Sequence, residues 1–427
     1  MSFLIQKYFI ILWTIISGFV FIFYGYIQPI TIINDGVGWD GTQYTTMFNY
    51  FKSGTFTFDL IFPFNQRPFV PYIAYLISDV FNLDMLMSFR IINLSFNVLN
   101  VYLILYIFVK IFNFNKINIS FVIFWFIFHY LGSFRILNNY PYLTDSVSLS
   151  ISLLLFISLI FNKYKTFFII AIFGVGVKEQ VLPIILILLI SIFLKSKIVK
   201  KDLNKKQFIF LIITMFFCFL INYYIKHYGF SNIEIGSSIK TILSWGYVHL
   251  SNPLDFVRYL VAIFLTFGSF ILIYFINFSY KDFIINIKED SYMYSFSLAF
   301  LFFIFAFLAA SDMERVLWQA FPFFCIFFLS SMEKLNKFYI AFGFLLSIPI
   351  MRLVSLIPEA SQALPLIRKS DLYMINDKTP GDTVGLYSWL AEYMEIGQVA
   401  SWGIYMIFIY LILNKIYNLT KNDSSSL

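Results

Sequence analysis

Long apolar runs separated by short polar stretches dominate this chain. A helix needs about 20 apolar residues to cross a bilayer, and its backbone groups are then satisfied internally. The short alternating segments of a membrane β-barrel are not seen. The pattern predicts an all-α, polytopic bundle that forms a single membrane domain over residues 1–427, with short helices in its outer loops. Its twelve predicted segments are 8–28, 86–111, 117–136, 143–161, 166–177, 180–194, 207–225, 257–279, 293–310, 315–332, 337–357 and 399–416.

The fifth segment, 166–177, is too short to span a membrane by itself. It ends beside Lys178-Glu179, two charges in an otherwise apolar stretch. A charge at mid-helix costs about 2.5–3.5 kcal/mol on insertion scales. We therefore expect the fifth and sixth segments to form a broken pair at Lys178-Glu179, where the two charges pair or line a polar cavity.

Composition agrees with a membrane protein, since 60% of residues are hydrophobic and only 12% are charged. A soluble domain carries about 25% charged residues. The apolar run from Tyr8 to Ile27 is longer than the core of a cleaved signal peptide, so we expect an uncleaved anchor. The net charge of +7 arises from lysines in short loops, which indicates topology rather than nucleic-acid binding.

Charged residues are distributed unequally between the two predicted sides of the membrane. With the N-terminus inside, the inner loops are rich in lysine and the outer loops are net acidic, as the positive-inside rule requires. Both termini are then cytoplasmic in an inner (plasma) membrane, and the longest outer loops are 29–85 and 358–398. All arginines fall on or near the predicted outer side: Arg67, Arg90, Arg135, Arg258, Arg315, Arg352 and Arg368. Either some of them bind phosphate, or their placement reflects chance and the snorkelling of long side chains to the membrane boundary.

The first outer loop opens with an acidic, aromatic stretch at residues 34–44. Its string Gly36-Val37-Gly38-Trp39-Asp40-Gly41 has the spacing of a dinucleotide fingerprint, but it follows a membrane span instead of a strand. The carboxylates of Asp35 and Asp40 are more informative, because a carboxylate at an apolar boundary can act as a general base. Solvated turn residues and an interfacial aromatic belt are the plainer interpretations.

The stretch Trp39-Asp40-Gly41-Thr42-Gln43-Tyr44 resembles the W-D-G-x-x-Y motif of some C-type (GT-C) membrane glycosyltransferases, including the GPI-mannosyltransferase type. The resemblance implies an aspartate base in the first outer loop and a polyprenyl-phosphate sugar as donor. Asp40 matches the motif aspartate, and Asp35 is the alternative base. Trp39 and Tyr44 would position the substrate.

Four later segments strengthen the resemblance: Gln66–Pro71, Tyr140–Asp145, Val177–Glu179 and Ser311–Arg315 with Pro322. It implies that Arg67, Lys178 and Arg315 bind the donor phosphate. It also implies that Asp145, Glu179 and Asp312 position the substrate. The plainer alternatives are a helix cap at Thr144 or Asp145 and an i,i+3 surface pair of Asp312 with Arg315.

The resemblance thus implies an inverting enzyme that transfers a hexosyl or pentosyl group to a hydroxyl of a glycan or lipid acceptor. Its partners would be the polyprenyl-phosphate sugar, the acceptor and the bilayer, without nucleic acid. The histidines lack metal-ligand spacing, so no cofactor is indicated, although the two nearby acids Asp35 and Asp40 could hold a divalent ion. A polytopic transporter or a flippase of lipid-linked glycans is the main alternative. A polysaccharide polymerase or ligase that uses the 358–398 loop is another.

Overall fold

A computed structural model describes residues 3–31, 36–54, 60, 63–199, 203–226, 246–308, 313–353, 394 and 396–425. Throughout these ranges the regular secondary structure is helical and no strand occurs, as the hydrophobic pattern predicts. The main helices are α1 (Phe3–Ile27), α2 (Trp39–Ser53), α3 (Phe69–Phe81), α4 (Met85–Tyr106), α5 (Lys116–Phe128), α6 (Ser133–Asn139), α7 (Asp145–Ile160), α8 (Tyr164–Val175), α9 (Val181–Val199), α10 (Lys205–Tyr224), α11 (Pro253–Phe267), α12 (Ser269–Ile276), α13 (Tyr280–Asn286), α14 (Asp290–Leu308), α15 (Met313–Met332), α16 (Lys337–Met351) and α17 (Ile396–Ser425).

Eight helical stretches among the described residues are long and apolar enough to cross a membrane. They are Leu4–Ile27, Met85–Ile111, Lys116–Asn139, Val181–Val199, Lys205–Tyr224, Asp290–Leu308, Met313–Met332 and Ile396–Leu419. The chain is therefore a helical, multi-pass membrane protein. Helices α7, α8 and α16 are apolar but shorter, with 16, 12 and 15 residues. The twelve-segment layout stays a prediction.

The predicted membrane segment 257–279 is not a single straight helix. The structure divides it into α11 and α12, which meet at Gly268 with a bend of 98°. Gly268 has a φ of +59°, and a Cβ there would lie 2.5 Å from the Trp125 ring and 3.0 Å from Ser347 Oγ. Only glycine fits both the backbone and the space. An apolar run alone does not reveal such a bend, because the run continues on both sides of Gly268.

The chain forms two compact units. The first contains residues 1–104, 133–241 and 286–301, and the second contains residues 105–132, 242–285 and 302–427. In the first unit α7 lies against α8, α10 packs on α8 and α9, and α2 packs on α3. In the second unit α11 and α12 pack on α15, and α16 and α17 pack on each other and on α12.

A ladder of amide and hydroxyl groups joins α4 to α7 inside the first unit. Asn93 donates to the Pro141 carbonyl at 2.6 Å and accepts from Ser146 Oγ at 2.9 Å. One face of α4 continues with Asn100, which donates to the Ser146 carbonyl and accepts from Ser150 Oγ. All four side chains are buried. Hydrogen bonds of this kind fix neighbouring helices in an apolar environment, and here they secure the chain on both sides of residues 144–145.

Aromatic rings fill the second unit. Trp318 stacks on His129 and Phe126, with ring centroids 5.0 and 5.5 Å apart. Trp125 Nε1 donates to the Thr266 carbonyl at 2.8 Å, and His129 Nε2 lies 2.9 Å from the Leu265 carbonyl oxygen. These two contacts engage the last turn of α11, whose final carbonyls have no partner within the helix. They help to hold the backbone at the bend.

Candidate functional site

Residues 39–53 of the first predicted outer loop form helix α2, and Asp40 lies in its first turn. The Asp40 side chain is half-buried. The N-terminus of a helix carries partial positive charge, so this position favours the ionised carboxylate. Trp39 begins the helix, while the alternative base Asp35 lies outside the described residues.

Helix α2 is docked through its first turns onto the turn before α7. The Gly41 amide donates to the Tyr140 hydroxyl at 3.2 Å, and the Tyr44 hydroxyl lies 3.3 Å from Thr144 Oγ1. Gly38 has a φ of +75°, and a Cβ there would overlap the Tyr140 ring. The glycines of this loop therefore allow a tight turn and a close approach of the backbone to Tyr140. This accounts for the glycine spacing at 36–41 without a nucleotide-binding role.

Tyr140 was not among the residues predicted for the site. Its only signal was its place in the Tyr140–Asp145 segment, which the resemblance singled out for other members. A tyrosine at a membrane boundary is common enough that the sequence did not distinguish it from an interfacial residue. In the structure, the Tyr140 hydroxyl accepts a hydrogen bond from the α2 backbone and so positions that helix.

Arg67 connects α2 to the turn between α8 and α9. Its Nε and Nη2 donate to the two carboxylate oxygens of Glu179 at 2.8 and 2.5 Å. Its Nη1 donates to the Tyr44 hydroxyl at 3.2 Å. Arg67 is only 8% exposed. A bidentate pair of this kind is stronger and more specific in geometry than a single ionic contact.

Lys178 and Glu179 do not pair with each other. The Lys178 ammonium donates to Asp145 Oδ1 at 2.9 Å, while Glu179 binds Arg67. Both residues lie in the turn at 176–180, where neighbouring side chains point to different partners. Asp145 is in the first turn of α7, and Thr144 makes no side-chain capping bond to that helix. Thr144 is the N-cap residue of α7, as one interpretation of the sequence held, but its hydroxyl contacts Tyr44 and does not cap the helix.

Burial and charge act in opposite directions on the Arg67–Glu179 pair. Burial alone would raise the pKa of the Glu179 carboxyl, but the Arg67 guanidinium outweighs it and holds that pKa below 4.5, its ordinary value. Burial would likewise lower the pKa of Arg67, yet Glu179 and Tyr44 raise it well above its usual range. Both groups are therefore charged at neutral pH.

A backbone contact fixes the same turn from the other side. The Phe69 amide, at the start of α3, donates to the Gly176 carbonyl at 3.1 Å. Arg67 is two residues before Phe69, so the guanidinium and the turn that carries Glu179 are held together by both side chain and backbone. The polar network thus runs from Thr144 through Tyr44 and Arg67 to Glu179, with the Lys178–Asp145 pair beside it.

The structure therefore brings seven predicted site residues into one unit: Trp39, Asp40, Tyr44, Arg67, Asp145, Lys178 and Glu179. Arg315 belongs to the second unit, where it is half-buried in the first turn of α15. Asp312 and nearly all of the 358–398 loop lie outside the described residues.

A separate charged cluster occurs in the second unit. His249 Nδ1 lies 3.2 Å from Asp255 Oδ2, and Arg258 Nη1 donates to Asp255 Oδ1 at 3.1 Å. His249 is 2% exposed and Asp255 is 6% exposed. Asp255 thus holds both side chains at one buried carboxylate.

Among the residues that the structure describes, no three His, Cys, Asp or Glu side chains are grouped to hold a metal ion. No protein-family model matches this chain, and no curated protein or solved structure matches it.

Proposed function

We propose that this protein is a C-type membrane glycosyltransferase that moves a sugar from a polyprenyl-phosphate donor to a hydroxyl acceptor on the extracytoplasmic side. One observation carries the proposal. The loop helix with the W-D-G-x-x-Y stretch contacts Arg67 and Thr144, and Arg67 binds Glu179, so segments far apart in sequence converge in one polar network. Such a network inside an apolar helical protein is typical of a functional site.

The orientation that the proposal needs rests on charge. The lysine-rich loops are placed in the cytoplasm together with both termini, in a plasma membrane crossed by about twelve segments. The first loop then faces outward, away from cytoplasmic sugar nucleotides. A lipid-linked donor is the form of activated sugar that reaches that side, with its tail between the helices and its phosphate at the boundary.

Asp40 acts as the general base in this mechanism, with Asp35 as the alternative. It takes the proton of the acceptor hydroxyl while that oxygen attacks the anomeric carbon and the bond to the lipid phosphate breaks. A single displacement inverts the anomeric centre. Docking of Gly41 and Tyr44 onto the 140–144 turn holds the first turn of α2 in place, which supports a preorganised base.

The leaving lipid phosphate gains charge, and cationic donors stabilise it in the transition state. Arg67 uses three of its five N–H groups in its contacts with described residues, which leaves two for a phosphate oxygen. Lys178 likewise donates once, to Asp145. We assign Arg67 and Lys178 to the phosphate, and Trp39, Tyr44, Asp145 and Glu179 to substrate positioning.

A transporter or flippase is the second candidate, and the bend at Gly268 favours it. Broken helices frequently line the substrate path of secondary transporters. A transporter moves its lipid-linked glycan unchanged, whereas a transferase releases free polyprenyl phosphate. The chemical fate of the donor therefore separates the two functions.

The experiment uses the full chain in lipid nanodiscs with extracted membrane glycolipids as acceptors. Radiolabelled undecaprenyl-phosphate glucose, mannose, N-acetylglucosamine and arabinose are supplied one at a time, and label transfer and released lipid phosphate are measured. We expect transfer from one of these donors and its loss in Asp40→Asn. The matched control is Asp79→Asn, an exposed carboxylate on α3, which should keep full activity. Full transfer by Asp40→Asn would refute the role of Asp40, and no turnover of any donor would refute the function.

A further inference from the structure

Two buried amide side chains lie directly beside the polar network. Asn65 and Gln66 belong to the short 3₁₀ turn Phe64–Gln66, which precedes Arg67. They are only 7% and 1% exposed. Yet Asn65 Oδ1 and Gln66 Oε1 meet no hydrogen-bond partner within the residues that the structure describes. Buried amides are almost always hydrogen-bonded, because an unmade bond in an apolar environment is costly.

The turn that carries these amides is held firmly. The Gln66 amide donates to the Pro63 carbonyl at 3.1 Å, and the Arg67 amide donates to the Phe64 carbonyl at 2.9 Å. The Phe64 ring meets the Tyr44 ring edge-on with centroids 5.5 Å apart, and the Arg67 guanidinium lies 5.2 Å from the Phe64 ring centroid. The backbone of the amides is thus fixed relative to the helix that bears Asp40. A preorganised site of this kind binds a ligand at a lower cost in conformational entropy.

The chemistry of the unmet groups selects the ligand. In the orientation that the structure shows, the two amide oxygens accept hydrogen bonds and repel a phosphate oxygen, so they do not extend the phosphate site of Arg67. A hydroxyl both donates and accepts, and it satisfies an amide whichever way the amide is turned. Two amides adjacent in sequence can each bond a hydroxyl of a sugar ring, and protein sites commonly fix the orientation of a ligand with a few such polar groups.

We propose that Asn65 and Gln66 form a subsite for the hydroxyl groups of a sugar ring. This inference rests on the proposed function, because it assigns the subsite to the donor or the acceptor sugar of that same site. It also predicts an unusual relation between stability and binding. An apolar side chain of similar shape at position 66 removes an unsatisfied group, so it should preserve or raise stability while it weakens ligand binding.

The first measurement is thermal unfolding of the purified full chain in detergent without sugar head groups. Wild type, Gln66→Met, Asn65→Leu and Asp40→Asn are compared with and without glucose, galactose, mannose, N-acetylglucosamine or arabinose at about 100 mM, a level at which millimolar binding raises the midpoint measurably. We expect one sugar to raise the midpoint of wild type and Asp40→Asn. Affinity should fall about tenfold or more in Gln66→Met and Asn65→Leu, with a sugar-free midpoint at or above that of wild type.

Three outcomes would overturn the subsite. These are an absence of any sugar effect on wild type, an equal effect on the two amide variants, or a sugar-free midpoint several degrees lower in Gln66→Met. The last would reveal a structural partner for the amide. Because this assay needs no turnover, sugar binding without transfer would refute the proposed function alone, and transfer by fully active amide variants would refute the subsite alone.

Kinetics with the donor panel then identify which sugar is bound. If the subsite holds the donor, Gln66→Met lowers both transfer and the slow hydrolysis of the donor by water. If it holds the acceptor, hydrolysis is unchanged and only transfer falls, through a higher KM for the acceptor. A change in neither rate would contradict a place for these amides in the site.

Discussion

The bidentate pair of Arg67 and Glu179 should make a large, coupled contribution to stability. Substitution of Arg67 by Met leaves the Glu179 carboxylate without its partner, and Glu179→Leu leaves the buried guanidinium uncompensated. Loss of one member of a buried pair costs about 3–5 kcal/mol. Because the Glu179 side chain is 27% exposed, solvent screens part of this, and we expect each single variant to lose about 2–4 kcal/mol.

The double variant Arg67→Met/Glu179→Leu removes both charges and should be less destabilised than the sum of the single variants. We expect a coupling energy of about 2 kcal/mol, within the range for residues in one hydrogen-bonded network. The assay is reversible unfolding of the purified protein in mixed detergent and dodecyl sulfate micelles, followed by circular dichroism. All four members of the cycle are measured at one ionic strength.

The pair of Lys195 with Asp290 is the matched control, since it also lies in the first unit but its Asp290 side chain is 58% exposed. The cycle Lys195→Met and Asp290→Leu should give a coupling energy below about 1 kcal/mol, because solvent screens exposed pairs. Equal coupling energies for the two cycles would show that burial does not strengthen the Arg67 pair. Additive effects at Arg67 and Glu179 would refute the pair itself.

Three further predictions address pH, the glycine turn and the polar ladder. The pKa of Glu179 is lowered in the folded protein, so its contribution to the free energy of unfolding is full above the unfolded-state pKa and is lost as pH falls through the folded-state pKa. The thermal midpoint should therefore stay constant from pH 7 to about pH 5 and fall at lower pH. The fall should be smaller in Glu179→Gln. Gly38→Ala should destabilise the protein by more than about 3 kcal/mol, since it combines a positive φ with overlap on the Tyr140 ring. Gly54→Ala is the control, because Gly54 has a φ of +69° but faces open space, and it should cost only about 1–2 kcal/mol. Equal losses of stability in the two variants would exclude the overlap with Tyr140. Asn100→Leu breaks two hydrogen bonds between α4 and α7 and should cost about 1–2 kcal/mol in the same unfolding assay, whereas no loss would show that the ladder adds nothing to stability.

The amino-acid sequence by itself determined that the chain is a helical membrane protein. Apolar runs of about 20 residues are sufficient for that inference, because in a bilayer the backbone must satisfy its own hydrogen bonds. The sequence also singled out the residues that form the polar network, since charged residues are rare in such a chain and each one needs a reason to be there. Lys178 and Glu179 were identified on this basis, whereas the resemblance to C-type glycosyltransferases pointed to Arg67 and Asp145.

Only the tertiary structure decided how these residues are paired. Lys178 and Glu179 are neighbours in sequence, yet they bind Asp145 and Arg67, which lie 33 and 112 positions away. There was equally little sign in the sequence of the bend at Gly268, of the docking of Gly41 on Tyr140, or of the amide oxygens of Asn65 and Gln66 that lack a partner among the described residues. Each of these features depends on which side chains meet when helices pack. The hydrophobic pattern determines the length of a helix, but it does not determine which residues of other helices pack against that helix.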